Sequence, residues 1–457
     1  VAQDTIAAVA TGTAATAIGI LRLSGPKAIW AVEQLFTPLS GKPFSAQPDR
    51  YLALGDLHDI QGRPLDQCMA TLSHGPRSYT GEDTCELQCH GSPAVLAATL
   101  AALRTLGVRQ ALPGEFTKRA FLNGRLDLTQ AEAVIDLIDA RSMAVARNAA
   151  GQLSGALRRR IDGIYTDLVD VSAHFDAVLD YSDEDLEPFE IEEIRTVTQR
   201  CGAQLDALLS TVQRGQQLRS GIPCAIVGAP NAGKSSLLNA LLGYDRAIVT
   251  DLPGTTRDTL QETLELGDLL LRLVDTAGLR DTQDKVEQLG VERSRQAAEQ
   301  ADLILLVVDG STPLSADSRD TLSLAQEGQK VICVVNKSDL PSQVEWEELT
   351  AQFPQVMSVS AATGEGLDQL SEVISALYPQ GSQVENGELL TNLRQADGAA
   401  QAREALRRVE EGLAAGMTPD GLLTDLEDAT AALAQITGRS ITEDVTDRIF
   451  ERFCVGK

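Results

Sequence analysis

Two kinds of hydrophobic pattern alternate along the chain, and the places where one gives way to the other mark its parts. Strand-like runs come first: Thr16-Ala17-Ile18-Gly19-Ile20-Leu21-Arg22-Leu23-Ser24-Gly25 and Thr84-Cys85-Glu86-Leu87-Gln88-Cys89-His90-Gly91 are bounded by turn residues. With a helix predicted over 93–106 they give an α+β domain at 1–118. From 119 to 215 the pattern turns helical, and 128–140 places its apolar residues on the period of one helix face. Section 216–380 carries apolar runs at 224–227 and 331–335 that read as buried strands, with further strands at 269–274 and, strand-like, 356–359. Beyond Tyr378-Pro379-Gln380-Gly381 the helical character returns across 381–457, with Ala399, Ala402, Leu406, Val409 and Leu413 on one stripe. The economical architecture is a multidomain α/β chain. An N-terminal α+β domain is followed by one helical domain, discontinuous in sequence, into which an α/β domain is inserted.

The inserted section carries the chemistry. Gly228-Ala229-Pro230-Asn231-Ala232-Gly233-Lys234-Ser235 follows a strand and opens a helix, the context of a phosphate-binding loop. Gly228 and Gly233 free the backbone so that its N–H groups wrap a β-phosphate at the helix N-terminus. Lys234 is placed to reach the β- and γ-phosphates, and the Ser235 hydroxyl to ligate Mg²⁺. Asn336-Lys337-Ser338-Asp339 then selects the base. Asp339 accepts both the ring N–H and the exocyclic amine of guanine. Adenine offers neither donor, so the carboxylate would be left unpaired, at a cost of about 1–3 kcal/mol or more. Asn336 and Lys337 frame the base, and Ser360-Ala361 closes the pocket. Together these motifs predict an inserted P-loop GTPase domain.

Between them lies Asp275-Thr276-Ala277-Gly278, with Asp275 near the Mg²⁺ shell and the Gly278 N–H near the γ-phosphate. Upstream, Gly254-Thr255-Thr256-Arg257-Asp258 supplies a threonine hydroxyl for Mg²⁺, Thr256 being the better placed. Such segments are ordered by the γ-phosphate and released after hydrolysis. Many small GTPases carry glutamine after the second glycine to orient the attacking water; here Leu279 stands there and cannot. Glu287 is a carboxylate in the right region, although on its residue type alone it is more simply an ordinary solvated glutamate in a charged segment. Arg257 and Arg280 both lie in switch segments.

A net charge of −26, from 39 basic and 65 acidic residues, disfavours general electrostatic attachment to nucleic acid. The one compact arginine run, Arg158-Arg159-Arg160, is more simply a solvated helix face, and the acidic run at 183–193 a solubilising segment. Seven dispersed cysteines suggest reduced thiols in the cytoplasm. Cys85, Cys89 and His90 lie close in sequence, but strand alternation accounts for them better than zinc. No apolar stretch reaches membrane-spanning length, and the start lacks a basic-then-apolar signal pattern.

Beyond the nucleotide motifs, three features stand together: Gly254-Thr255-Thr256-Arg257-Asp258 before Asp275-Thr276-Ala277-Gly278-Leu279-Arg280, the block from Pro113-Gly114-Glu115-Phe116 through Asn123-Gly124-Arg125-Leu126-Asp127-Leu128, and the tail Phe453-Cys454-Val455-Gly456-Lys457. These residues carry a resemblance to the MnmE (TrmE) family that extends over the whole length of the chain. It implies an N-terminal tetrahydrofolate-binding domain that also forms a homodimer, the discontinuous helical domain, and GTPase domains that meet when GTP binds. The implied nucleotide contacts are Asn231, Ala232, Gly233, Lys234, Ser235, Ser236, Thr250, Asp251, Thr255, Thr256, Asp275, Thr276, Ala277, Gly278, Asn336, Lys337, Asp339, Ser360 and Ala361. Potassium replaces an arginine finger, with Asn231 giving a side-chain oxygen and Thr250, Leu252 and Thr255 backbone oxygens. Glu287 becomes the water-positioning group, supported by Arg257 and Arg280. Arg22, Glu82, Arg125 and Lys457 would contact 5-formyl-tetrahydrofolate or a related form; the family often has lysine where Arg125 stands, and the two cations differ in geometry. Cys454 would be functionally important. The implied reaction, shared with an FAD-dependent partner, MnmG, installs an aminomethyl or carboxymethylaminomethyl group at carbon 5 of the tRNA wobble uridine. The tRNA contacts would lie mainly on that partner. A ribosome-assembly switch and a GTP-regulated one-carbon transferase are the rival readings.

Overall fold

The computed structural model describes residues 4–12, 14–180, 191–244, 263–266, 269–274, 295–322, 329–378, 387–440, 443–451 and 453–456. The chain forms two compact units: Val1–Ile135 with Gly151–Leu205 and Gly398–Lys457, and Asp136–Ala150 with Asp206–Asp397.

The first unit is built on a seven-stranded sheet. Its strands are β1 (Ile6–Val9), β2 (Thr16–Ser24), β3 (Phe36–Pro38), β4 (Ala53–His58), β5 (Pro64–Ser73), β6 (Thr84–Gly91) and β7 (Arg109–Gln110), in the order β3-β4-β5-β6-β2-β1-β7. Neighbours run antiparallel except the short parallel pair β1–β7. Alternation sets which face is dry. Cys85, Leu87 and Cys89 of β6 join Leu21, Leu23, Cys68, Ala70 and Leu72 in a core closed by helices Ala28–Glu33 and Pro93–Thr105. His90, between inward neighbours, is exposed and lies 2.8 Å from Asp66. The cysteine–histidine cluster is therefore strand alternation, and no metal-ligating group of three occurs among the described residues.

The helical part of this unit follows the same logic at another period. Leu157, Ile161, Ile164 and Leu168 form the buried stripe of Ala156–Asp180, which packs against Pro419–Thr437 with its own stripe of Leu422, Leu426, Ala429 and Leu433. The expected stripe Ala399, Ala402, Leu406, Val409 and Leu413 is buried in Leu393–Ala414. Arg159 is exposed, while Arg158 pairs with Asp127 and Asp162, as a solvated face requires. The acidic run falls mostly outside the described residues. No described helix is long and apolar enough to cross a membrane.

The C-terminal segment is stitched to the first sheet's domain. Phe450 and Phe453 stack with centroids 5.1 Å apart and share a cluster with Phe121 and Ala131. Pro113 bridges Val455, and the Gly114 N–H donates to the Cys454 carbonyl at 3.3 Å. Gly114 has φ +66, and a Cβ there would stand 2.6 Å from the Phe450 carbonyl and 2.9 Å from the Phe453 Cβ. Both backbone sign and space demand glycine.

The second unit is a doubly covered, mainly parallel sheet: β8 (Ile222–Gly228), β9 (Thr263–Leu266), β10 (Leu269–Leu273), β11 (Leu303–Asp309), β12 (Lys330–Asn336) and β13 (Val356–Ser358). The order is β13-β12-β11-β8-β10-β9, with only the edge strand β9 antiparallel. The apolar runs at 224–227, 269–273 and 331–335 are largely buried strands, whereas the run at 356–358 forms an edge strand that is half-buried to exposed. Leu303, Leu305 and Val307 face one core, and Ile304, Leu306 and Val308 the other.

Gly114→Ala should destabilise the chain by roughly 1–3 kcal/mol and release its last residues to carboxypeptidase. Urea unfolding would show a lower midpoint; an unchanged midpoint would mean the C-terminal packing does not depend on this turn.

Candidate functional site

Parallel strands bring their carboxyl ends to one edge of a sheet, and ligands of such sheets bind there, at the point where strand order reverses. Strand β8 has neighbours β11 and β10 on its two sides. The register pairs Val307 with Gly228 and Asp309 with Asn336. The loops after β8 and β12 are therefore neighbours although far apart in sequence.

After Gly228 the chain turns through Asn231, at φ +62, and Gly233, at φ +91, into the helix Lys234–Tyr244. A Cβ on Gly233 would lie 2.1 Å from the Asn336 amide nitrogen, so glycine is required by the neighbouring loop as well as by φ. The Lys234 ammonium donates to the carbonyls of Gly228 at 2.8 Å and Ala229 at 2.9 Å. Burial lowers its pKa, a penalty that an anion in the loop would relieve. Ser235 and Ser236 open the helix directly after it.

Asn336 is 2 % exposed and ties three segments together. Its Nδ2 donates to the Ala232 carbonyl and its Oδ1 accepts from the Ala361 N–H, both at 3.0 Å. The Ser360 hydroxyl donates to Asp339 Oδ1 at 2.6 Å, which fixes one carboxylate oxygen and orients the other. Lys337, at φ +66, reaches back to Asp309 Oδ2 at 2.6 Å. The structure thus brings Asn231, Ala232, Gly233, Lys234, Ser235, Ser236, Asn336, Lys337, Asp339, Ser360 and Ala361 to one edge. Thr250, Asp251, Leu252, Thr255, Thr256, Arg257, Asp275, Thr276, Ala277, Gly278, Arg280 and Glu287 lie outside the described residues.

A second cluster occupies the first unit, around the turn 78–82. Arg22 pairs with Glu86, Nε to Oε1 at 2.9 Å, and its guanidinium carbon lies 5.7 Å from the Tyr79 ring centroid and 5.9 Å from that of Phe116. Glu82 Oε2 accepts from Ser24 Oγ at 2.7 Å and Arg119 Nη1 at 3.0 Å. Arg125 Nε donates to the Ser78 carbonyl at 3.0 Å, and Asn123 to that of Thr80 at 2.7 Å. Arg22, Glu82 and Arg125, distant in sequence, therefore meet at one turn. Cys454 is exposed, and its carbonyl caps the turn that leads into helix Glu115–Leu122. Lys457 lies outside the described residues.

The sequence motifs did not single out Arg119 or Asp309. Arg119 is 4 % exposed and binds Glu82, Asp4 and Glu115, while Arg109 bridges the last two. The only sequence signal for either is a charge where an apolar residue would fit: Arg119 on the buried face of its helix, Asp309 closing an apolar strand.

A phosphate loop at the carboxyl edge of a parallel sheet, braced to an Asn-Lys-Ser-Asp loop, defines a P-loop GTPase. Family comparison is more particular. A model described as the MnmE helical domain matches residues 128–454, and one described as the GTP-binding protein TrmE N-terminus matches 5–125. The tRNA modification GTPase MnmE of Roseiflexus sp. (strain RS-1) is 43 % identical over 100 % of this chain and 99 % of its own. That of Natranaerobius thermophilus is 41 % identical, with 100 % of each chain covered. The chain belongs to the MnmE family. Among solved structures, Era in complex with MgGDPNP and a segment of 16S ribosomal RNA matches 40 % of this chain and 65 % of its own, at 26 % identity and a TM-score of 0.27.

The charge cluster has a pH signature. Burial pushes the Asp4 and Glu115 carboxyls up, but hydrogen bonds and charge from Arg109 and Arg119 outweigh it and hold both below their ordinary 3.8 and 4.5. Groups depressed in the folded state stabilise it fully above their ordinary values and lose that contribution as pH falls through the lower ones. Stability should therefore drop in acid below about pH 4, and Arg119→Met should flatten that acid limb while lowering stability at pH 7. Identical acid limbs in chemical denaturation would exclude the cluster as their source.

Proposed function

We propose that this chain couples GTP hydrolysis to modification of carbon 5 of the tRNA wobble uridine, using a tetrahydrofolate one-carbon unit and acting with the flavoprotein MnmG. The observation that carries the reading is the Asn336 carboxamide, which joins the phosphate loop to the base loop in a chain related end to end to tRNA modification GTPases. We divide the chain into a folate-binding and dimerising domain at 1–118, a helical domain at 119–215 and 381–457, and the GTPase domain at 216–380.

The residues fit a guanine nucleotide. Lys234 exchanges two loop carbonyls for β- and γ-phosphate oxygens. Asp339, with one oxygen held by Ser360, offers the other to the guanine N–H donors. Ser235 and Thr256 would hold Mg²⁺, with Asp275 contributing to its shell through water, and the backbone N–H groups of 231–236 would cradle the phosphates. Asn231, exposed in the loop, would offer a carboxamide oxygen of the hard type that suits potassium, joined by backbone oxygens of Thr250, Leu252 and Thr255. Bound there, the cation supplies the positive charge that an arginine finger gives related enzymes. Glu287 positions the attacking water, while Arg257 and Arg280 support the two switches.

The cluster at 78–82 fits a folate. Arg22 lies near two aromatic rings, suiting a flat heterocycle. Glu82, with Oε2 held by Ser24 and Arg119, presents Oε1 as an acceptor for amino N–H groups. Arg125, with Lys457, supplies charge for the ligand's carboxylates. Cys454, an exposed thiol, lies on the tail packed against the turn into the same helix. No flavin fingerprint is present in the sequence, so the redox half of the reaction falls to the partner. The seven free thiols and the acidic charge accord with a cytoplasmic homodimer whose tRNA contacts are made mainly through MnmG.

Mass spectrometry of tRNA nucleosides, from cells with and without this gene, tests the function. Loss of the 5-aminomethyl-type wobble uridines is expected. Their persistence together with accumulating ribosomal-subunit precursors would move the chain to an assembly switch. For the hydrolytic step, Glu287→Ala should lower kcat by about a hundredfold or more with GTP affinity nearly intact. Unchanged turnover would remove Glu287 from the site.

A further inference from the structure

A carboxylate outside the nucleotide motifs stands behind the base loop. Asp309 ends β11 in register with Asn336, and its two oxygens are used differently. Oδ1 accepts from the Ser311 N–H at 2.9 Å and the Ser311 hydroxyl at 2.6 Å, which locks the carboxylate plane. Oδ2 is thereby aimed at Lys337, whose ammonium donates to it at 2.6 Å. The same turn is bound to the base strand, since the Gly310 N–H donates to the Asn336 carbonyl and the Gln343 N–H to the Gly310 carbonyl, each at 2.9 Å. Lys337 itself sits at φ +66, a conformation a long L side chain adopts only at a cost, and its stem has four rotatable bonds to order. A rigidly held counter-charge offsets both costs before any ligand arrives.

We propose that Asp309 is a positioning residue for the nucleotide. It holds the Lys337 ammonium in place beside the base loop, so that affinity depends on it and the hydrolytic step does not. This rests on reading Asn336–Asp339 as the guanine-recognition loop. Among the described residues the Asp309 carboxylate bonds to Lys337 and to its own turn, on the side of the base loop, so it acts on GTP and GDP alike. Both nucleotides must weaken together when it is neutralised. Its effect must also vanish when Lys337 is gone.

The test is a double-mutant cycle on the full-length chain with fluorescent GDP and non-hydrolysable GTP, combined with steady-state turnover and melting of the nucleotide-free protein. Asp309→Asn, which keeps the shape and an acceptor for Ser311, should weaken both nucleotides about tenfold. It should leave kcat at saturating GTP within about twofold of the parent. Asp309→Glu should recover part of the loss. In a Lys337→Ala background, Asp309→Asn should add nothing. Normal affinity in Asp309→Asn while Lys337→Ala is impaired would overturn the proposal and leave the base loop standing. Equal, additive losses with a lowered melting point would overturn it in favour of a purely structural role. Unchanged affinity in Lys337→Ala would overturn the base-loop reading itself, and this proposal with it.

Discussion

A single buried carboxamide sets the geometry of the nucleotide edge. Asn336 has one donor group and one acceptor, and the fold gives each a backbone partner: the Ala232 carbonyl in the phosphate loop and the Ala361 N–H in the closing loop. At 2 % exposure neither bond has water to replace it, so losing the side chain would orphan groups in both loops, at about 1–3 kcal/mol each. Gly233 follows from the same constraint, since any Cβ would strike this amide. The loop at 228–235 and the loop at 336–339 are therefore one object, although 104 residues of sequence separate the bonded Ala232 and Asn336.

That object exists because the sheet is parallel. In β8, β11 and β12 the strand ends arrive together, and the loops that follow them share an edge. The first unit solves a different problem. Its mainly antiparallel sheet gathers residues from β2, the turn at 78–82 and helix Glu115–Leu122. The buried guanidinium of Arg119 joins the segment before β1, the turn and the helix by taking Asp4, Glu82 and Glu115 at once. Such a cluster is a poor source of net stability, because desolvation offsets most of the Coulomb attraction. What it does give is direction: Glu82 is left with one oxygen fixed and the other aimed.

Much of the second unit could be read before folding. Solid apolar runs gave buried strands, the loop at 228–235 gave its strand–turn–helix context, and Asn336 to Asp339 gave the base. Cys85, Cys89 and His90 were separable by alternation alone, since a period of two sends the cysteines inward and the histidine out. Asp309 and Arg119 were not legible, because a lone charge at the end of a strand or on a helix carries no periodic signal.

The amino-acid sequence by itself therefore determined the identities of the chemical groups and the local conformations around them. It set glycine at Gly114 and Gly233, where φ is positive and a Cβ would clash, apolar stripes where a helix is half buried, and a lysine and serine at the start of the helix after the Gly228 loop. Tertiary structure alone decided which of those groups touch. The register of β11 on β12 placed Asp309 behind Lys337, and the docking of Phe450 and Phe453 brought Cys454 to the turn at Gly114. The reason is physical. Backbone dihedral and burial preferences act over a few residues and leave a pattern in sequence, whereas a salt bridge or a carboxamide brace depends on strand register and packing, which no local pattern records.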